Sequence, residues 1–119
     1  DCDGLKKIND TYGHLVGDEY IRMTSLLFRM VIPENGAVFR TGGDEFIILL
    51  PSTTEKTAQG YMNQMREKER LFQIRGQKLS VSLGMSIIKS SEDSAAECIA
   101  TSDMNMYTEK RRKKKNRRS

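Results

Sequence analysis

The sequence has few cysteines and no long apolar run. Its 119 residues contain two cysteines, Cys2 and Cys98, too few for the disulfide framework of a small secreted domain. The longest apolar stretch, residues 46–50, is far shorter than the roughly 20 residues that span a bilayer. The chain opens at Asp1 with neither methionine nor a charged-then-apolar leader. We therefore expect no signal peptide, no membrane segment in this chain, and a cytoplasmic domain with free thiols.

The basic charge is concentrated at one end of the chain. The length suits one domain with a modest core. The net charge is +4, but residues 110–119 hold eight basic side chains and no acid. The other 109 residues hold 12 basic and 16 acidic side chains, a net charge of −4. Residues 110–119 are thus a basic tail, suited to a solvated terminus, to polyphosphate contact or to weak nucleic-acid affinity. Basic residues interleaved with aromatic ones are lacking, so we expect no specific nucleic acid.

Hydrophobic spacing and turn residues predict alternating helices and strands. Helices are expected over residues 20–32, 55–74 and 95–112, strands over 37–41, 46–50 and 79–88, and turns or loops over 1–17 and 90–94. A two-residue glycine turn would join the first two strands, and Thr54 would cap the second helix. The expected core residues are Tyr20, Met23, Leu27, Met30 and Val31 in the first helix, Ala58, Tyr61 or Met62, Met65, and Leu71 or Phe72 in the second, and Ala96, Ile99, Met104 and Tyr107 in the third. The fold class is α+β, with an antiparallel-containing central sheet covered by helices.

Two acidic clusters stand out as candidate chemistry. Asp1 and Asp3 open the chain, and Asp44 and Glu45 follow a pair of glycines. Carboxylates on tight turns or strand ends suit Mg²⁺, which takes a few protein oxygens and completes its shell with phosphate and water. The glycines would let a base or a phosphate lie against the main chain. A hydrophilic hairpin tip explains the second cluster equally well on spacing alone.

Four ordered motifs carry a resemblance to a known family. Residues 40–46 read Arg-Thr-Gly-Gly-Asp-Glu-Phe, and residues 81–86 and 100–110 match two later segments. A longer motif at the start of the chain is matched by Asp1, Asp3, Leu5, Lys6, Ile8, Asn9, Asp10, Gly13, His14, Gly17 and Asp18. The chain resembles the GGDEF domain, the catalytic module of bacterial diguanylate cyclases, over essentially its whole length. The resemblance implies a fold similar to the nucleotidyl cyclase catalytic fold.

The resemblance also implies a reaction. Two GTP molecules would condense into cyclic di-GMP with release of two pyrophosphates, in a homodimer whose two domains each bind one GTP. Asp1 and Asp44 would hold Mg²⁺ or Mn²⁺, with Glu45 and the backbone carbonyl of Cys2 also at the metal site. Glu45, or Asp44, would assist deprotonation of the attacking ribose hydroxyl. Which of the two acids acts as the base stays open.

Guanine recognition would fall to Asn9 and Asp18. A carboxylate accepts hydrogen bonds from guanine N1 and N2, which adenine does not offer, and an amide both donates and accepts. Without the motif, Asn9 would pass for a turn residue and Asp18 for a helix cap. His14, the only histidine, is interpreted as structural.

The phosphates would lie against the backbone and near lysines. The resemblance assigns them to the backbone N–H groups of residues 4–6, and the glycine pair is a further candidate contact. Lysines at three positions are candidate phosphate cations, with solvated side chains as the alternative. The candidate substrate-binding residues, apart from the two guanine contacts, are Gly4, Leu5, Lys6, Gly42, Gly43, Lys110 and Lys114.

The chain departs from the family in three places. Family members carry a strand and a helix upstream of the first motif, so we expect residues 1–119 to be a GGDEF domain lacking them, cut from a longer protein with upstream sensory or regulatory domains. The inhibitory product site Arg-x-x-Asp is replaced by residues 33–36, Pro-Glu-Asn-Gly. Lys113 stands where the family has glycine.

The alternative function is a catalytically inactive GGDEF module that binds GTP and regulates a neighbour.

Overall fold

A computed structural model describes residues 1–88 and 94–118. Four helices and two small antiparallel sheets make up this part of the chain. The elements are α1 (Leu5–Tyr12), α2 (His14–Val31), β1 (Ala37–Arg40), β2 (Phe46–Leu49), α3 (Glu55–Glu69), β3 (Gln73–Ile74), β4 (Gln77–Lys78) and α4 (Ala95–Arg118). The arrangement confirms the predicted α+β class. The loop predicted over residues 90–94 lies outside the described residues except for its last position.

The opening segment is helical rather than a series of turns. Gly4 has a φ of 74°, a left-handed conformation that glycine adopts without strain, and α1 begins directly after it. Leu5 and Ile8, three residues apart, are buried on one face of α1. Because most of the surrounding residues are polar, this short amphipathic helix was not predicted from the sequence. A single residue, Gly13 with a φ of 92°, separates α1 from α2, so α2 begins at His14 instead of residue 20.

The core face of α2 is shifted from the expected one. Tyr20, Leu27 and Val31 are buried as predicted, but Met30 is 50% exposed. Thr24 and Phe28 are also buried, as is Gly17 near the start of the helix. The buried residues are spaced three or four positions apart, as the 3.6-residue repeat of the helix requires. The prediction considered apolar residues, so it could not include the threonine. The Phe28 ring packs edge-on against Phe46 of β2, with centroids 5.5 Å apart.

Strands β1 and β2 form the predicted hairpin with a longer connection. Arg40 pairs with Phe46, so residues 41–45 form the loop, not two glycines alone. Neither Gly42 nor Gly43 has a positive φ, which contradicts the expected turn geometry. An ideal Cβ at Gly43 would meet no atom within 4 Å. The glycines therefore leave open space at the loop.

Residues 79–88 do not form the paired strand that was predicted. Within this segment Val81 forms an isolated antiparallel bridge with Cys2. The backbone N–H of Asp3 donates to Ser80 O at 2.8 Å, and that of Ser82 donates to Asp1 O at 2.9 Å. A strand requires a paired backbone, and the pairing cannot continue past Asp3, because the left-handed Gly4 and helix α1 follow it directly.

Helix α3 ends earlier than predicted. Thr54 caps it as expected, since its hydroxyl accepts from the Thr57 N–H at 3.2 Å. The helix stops at Glu69, and the residues beyond it form the β3–β4 hairpin, whose turn has positive φ at Arg75 and Gly76. That pair of angles is typical of a two-residue hairpin turn.

The core residues of α3 are partly those expected. Ala58 and Met65 are buried as predicted, and Tyr61 packs against the core. Phe72 also packs against the core, whereas Leu71 is 74% exposed. Both residues lie beyond the end of α3, and Phe72, not Leu71, takes the core position.

Helix α4 presents a different face from the one predicted. Ile99, Met104 and Tyr107 are 45%, 69% and 43% exposed, and Ala96 is also exposed, so the expected core contacts are wrong. Met106 is buried instead. The helix also runs past residue 112 to Arg118, so most of the basic tail belongs to a regular helix.

Candidate functional site

The site is built around residues 1–3, the strand end, which is named for the β-bridge of Cys2 with Val81. They lie between two parts of the chain that are far apart in sequence. On one side they pair with Ser80 and Ser82, and on the other the Cys2 N–H donates to the Asp44 carbonyl at 2.8 Å. The two acidic clusters predicted from the sequence are therefore brought together through the main chain.

Asp1 has one engaged and one unengaged carboxylate oxygen. Its side chain is 3% exposed, and Oδ2 accepts from Lys110 Nζ at 2.6 Å. Its Oδ1 is buried and has no hydrogen-bond partner among the residues that the structure describes. A buried, unpartnered carboxylate oxygen is costly unless a cation or a donor completes it. This oxygen is consistent with a role as a metal ligand.

Cys2 can offer its carbonyl but not a thiolate. Burial raises the pKa of its thiol to about 11, so the thiol stays protonated near neutral pH. In an extended residue the N–H and C=O point to the same side. We therefore expect the Cys2 carbonyl on the side of the hairpin, where the N–H contacts Asp44.

Asp44 and Glu45 are half-buried at the end of the 41–45 loop. The loop is closed by a hydrogen bond from Thr41 N–H to the Glu45 carbonyl at 3.0 Å. Arg40 steadies it by donating from Nε and Nη2 to the Gly43 carbonyl, at 3.1 and 2.9 Å. Sequence reasoning assigned no role to this arginine.

The predicted metal ligands do not form a ready-made cage. Among residues 1–88 and 94–118, no group of three or more His, Cys, Asp and Glu side chains is placed to hold a metal ion. The structure joins the backbones of Cys2 and Asp44, and the buried carboxylate of Asp1 belongs to the residue before Cys2. Magnesium commonly binds one or two carboxylates and takes its remaining ligands from phosphate and water. These residues fit that incomplete type of site.

Asn9 and Asp18 lie on two helices packed against each other. A Cβ added to Gly17 would meet Asn9 Oδ1 at 1.7 Å, so the amide of Asn9 occupies the space beside this glycine. Asp18 is the next residue and is exposed. It is the fifth residue of α2, which rules out the alternative that it caps the helix. Asp18 also lines a groove of about 440 Å³ between α2 and the hairpin, together with Arg22 and Arg40.

The candidate phosphate contacts differ in availability. The first N–H groups of α1, at Leu5 and Lys6, lie where a helix leaves its donors without intrahelical partners. The Lys6 and Lys114 side chains are exposed, whereas Lys110 is already paired with Asp1. His14 is the exposed first residue of α2.

Sequence reasoning missed the network beneath the site. The carboxylate of Asp3 accepts from the hydroxyls of Ser80 at 2.8 Å and Ser82 at 2.9 Å, and from Lys113 Nζ at 3.1 Å. Lys113 Nζ also donates to the Val81 carbonyl. In the sequence, the one sign of this contact was that Lys113 stands where the family has glycine.

A second ring of contacts ties the site to the helices. The Tyr20 hydroxyl donates to the Asp3 carbonyl at 2.7 Å, and burial raises its pKa to about 12. Glu109 accepts from the Leu83 N–H at 3.2 Å and from Arg66 Nη1 at 2.7 Å. Burial tends to raise the pKa of Glu109, but the hydrogen bond and charge of Arg66 outweigh it and lower that pKa.

The fold and the site together define a nucleotidyl cyclase-like α+β domain with an acidic strand end beside a hairpin loop. The family model described as "Diguanylate cyclase, GGDEF domain" matches residues 1–116. This chain belongs to the GGDEF family. The family acts in cyclic di-GMP signalling, and its cyclases require a divalent metal.

Similar proteins agree with this assignment. The chain is 37% identical to diguanylate cyclase DosC of Escherichia coli over 94% of its length, and 35% identical to cyclic di-GMP phosphodiesterase PdeR of the same organism over 92%. It spans only 25% and 17% of those two proteins. The structure of the active GGEEF domain of a diguanylate cyclase from Vibrio cholerae superposes with a TM-score of 0.84 and 32% identity, covering 94% of this chain and 73% of that one. None of the helices in the described part of the chain has the length and apolar composition needed to cross a membrane.

Proposed function

We propose that residues 1–119 form one catalytic domain of a diguanylate cyclase, which condenses two GTP molecules into cyclic di-GMP. The observation that supports this most directly is the contact between the two acidic motifs. It places the buried, half-unpartnered carboxylate of Asp1 on the strand end that touches Asp44. We infer that Asp1, the Cys2 carbonyl, Asp44 and Glu45 would hold Mg²⁺ or Mn²⁺.

The reaction joins the two nucleotides by two equivalent displacements. The 3′-oxygen of each ribose attacks the α-phosphorus of the other GTP, and the bond to the β-phosphate oxygen breaks with release of pyrophosphate. The proton of the attacking hydroxyl goes to Glu45 or Asp44. A bound divalent ion supplies neutralising charge and makes that hydroxyl more acidic. Two domains must face each other, so we infer a homodimer.

Recognition of GTP rests on the junction of α1 and α2. The Asp18 carboxylate accepts from the guanine edge, and the Asn9 amide lies beside it on the neighbouring helix. The N–H groups from Gly4 to Lys6 face the phosphates at the start of α1. Gly42 and Gly43 leave the open space in which a nucleotide can lie against the loop. Lys110 and Lys114 complete the phosphate contacts.

The proposal extends to the setting of the domain. The match covers a minor part of DosC and of PdeR, so we infer that upstream sensory or regulatory regions control the activity. Because GTP is a nucleotide of the cytoplasm, we infer a cytoplasmic location for the domain.

Incubation of the chain with GTP and Mg²⁺ or Mn²⁺, followed by mass spectrometry for cyclic di-GMP, tests the proposal. Formation of cyclic di-GMP supports it. The second candidate, a GTP-binding regulatory module without turnover, is favoured by the similarity to PdeR, whose name is that of a phosphodiesterase. GTP binding in a titration, with no product in the turnover assay, would select the module.

We expect Asp18→Ala to weaken the preference for GTP over ATP. The variant removes a carboxylate that accepts hydrogen bonds from guanine. In the wild-type chain the same carboxylate would have no donor to pair with in adenine. The ratio of kcat/KM for GTP to that for ATP should fall by about tenfold or more. Asp10→Ala removes an exposed carboxylate from α1 and is the matched control. An unchanged ratio in Asp18→Ala would remove Asp18 from the recognition site.

We expect no product inhibition through the turn after α2. Residues 33–36 form a turn closed by the Gly36 N–H and the Pro33 carbonyl at 2.9 Å. They hold neither the arginine nor the aspartate that the family's product site requires. Initial rates at rising cyclic di-GMP and several GTP concentrations distinguish competitive inhibition at the substrate site from non-competitive inhibition at a separate product site. Potent non-competitive inhibition would contradict this prediction.

A further inference from the structure

The carboxylate of Asp1 already carries a positively charged partner. Lys110 Nζ lies 2.6 Å from Asp1 Oδ2, and the carboxylate is 3% exposed whereas the lysine side chain is 33% exposed. The lysine is on α4, 109 positions away in the sequence. This contact joins a candidate metal ligand to a candidate phosphate ligand.

A divalent ion and the ammonium group of Lys110 compete for the same carboxylate. Both are cations, and within a largely buried site their mutual repulsion is only weakly screened. A nucleotide changes this balance, because its phosphates offer Lys110 a new anionic partner. Lys110 can then leave Asp1 to the ion, since the lysine side chain is a flexible four-carbon stem.

We propose that Lys110 couples cation binding to nucleotide binding, by occupying Asp1 in the free protein and moving to phosphate when GTP binds. The proposal rests on the proposed function for the roles of Asp1 and GTP. Lys110 acts here as a positioning residue: it keeps the acidic site neutralised until the substrate arrives. By reciprocity, the ion and the nucleotide each strengthen binding of the other.

The rest of the structure lets Lys110 move without moving the helix. One turn further along α4, Lys113 is bonded to Asp3 Oδ2 at 3.1 Å, to Ser80 Oγ at 3.3 Å and to the Val81 carbonyl. These contacts do not involve Asp1. Lys113 therefore holds α4 against the strand end while the Lys110 side chain changes partner.

The test measures Mn²⁺ binding without nucleotide, from the electron paramagnetic resonance signal of free Mn²⁺. We expect Lys110→Met to bind one Mn²⁺ about tenfold more tightly than the wild-type chain, within the range typical of coupled sites. Lys115→Met is the matched control, because it removes the same charge from an exposed position of α4. The gain should disappear in Lys110→Met combined with Asp1→Asn. Thermal melting confirms that each variant is folded, and Lys110→Gln replaces the methionine variant if that one is not.

The Mn²⁺ affinities distinguish the outcomes. A gain in the Mn²⁺ affinity of Lys110→Met that depends on Asp1 supports the proposed coupling. An affinity equal to that of Lys115→Met, or a gain that survives Asp1→Asn, overturns it. The wild-type chain is assayed in parallel for cyclic di-GMP. Product without the gain refutes only the coupling, whereas the gain without product refutes the cyclase function and leaves the competition at Asp1 intact.

Discussion

Glu45→Gln should abolish production of cyclic di-GMP while leaving the protein folded. Glutamine keeps the size of the side chain but cannot take a proton or provide an anionic metal ligand. Loss of a general base typically costs between 10² and 10⁴ in rate, so we expect kcat to fall at least about 100-fold. The main-chain bonds of Glu45 to Gly42 and Thr41 do not depend on its side chain, so the melting temperature should stay the same.

Two further variants make this result specific. Glu34→Gln changes the same chemistry at an exposed position in the turn after α2 and should keep full activity. Asp44→Asn tests the other candidate base. If Asp44 supplies only a metal ligand, high Mn²⁺ should partly rescue Asp44→Asn, and the acidic limb of the pH–rate profile should be lost only in Glu45→Gln. Retained turnover in folded Glu45→Gln would refute the role of Glu45.

Asp3→Ala should cause the largest loss of stability among the site residues. The carboxylate is buried and accepts hydrogen bonds from two serine hydroxyls and from Lys113. Removing one partner of a buried pair typically costs 3–5 kcal/mol. The Lys113 side chain is 28% exposed and can regain water, so we expect about 3 kcal/mol, the lower end of that range. The midpoint of thermal unfolding should fall by about 10 °C.

Urea and thermal unfolding, followed by circular dichroism, measure this loss. Asp10→Ala, at an exposed position of α1, removes the same group and should change the free energy of unfolding by less than about 0.5 kcal/mol. Asp3→Asn retains an acceptor for one serine and should lie between the two. If Asp3→Ala is as stable as Asp10→Ala, the network beneath the site does not hold α4 to the strand end.

Much of the candidate site could be predicted because its residues lie in short, contiguous motifs. The hairpin that carries Asp44 and Glu45 follows from two apolar strands around a glycine pair, and the structure has it. Asn9 and Asp18 are nine positions apart in one motif, and the single residue Gly13 folds α2 back on α1, so that Asn9 lies beside Gly17, next to Asp18. The meeting of the candidate metal ligands was harder to predict, because Asp1 and Asp44 are joined through the main-chain contact of Cys2.

The errors came from elements whose partners are distant. The segment 79–88 alternates like a strand, but the structure gives it only the bridge at Val81, because pairing depends on a second segment and not on its own pattern. In α4 the apolar residues Ile99, Met104 and Tyr107 suggested a buried face. The helix instead turns Met106 and the charged groups of Glu109, Lys110 and Lys113 toward the protein. Buried ion pairs give no hydrophobic signal that a periodicity analysis could detect.

The sequence by itself determined the family, the α+β class and the residue types of the site, since these depend on ordered local motifs. The tertiary structure alone decided which charges meet. It paired Lys110 with Asp1 and Lys113 with Asp3, across more than a hundred positions of sequence. Partners at such distances are chosen by how the helices pack on the strand end, where a buried carboxylate must find a cation or remain unsatisfied.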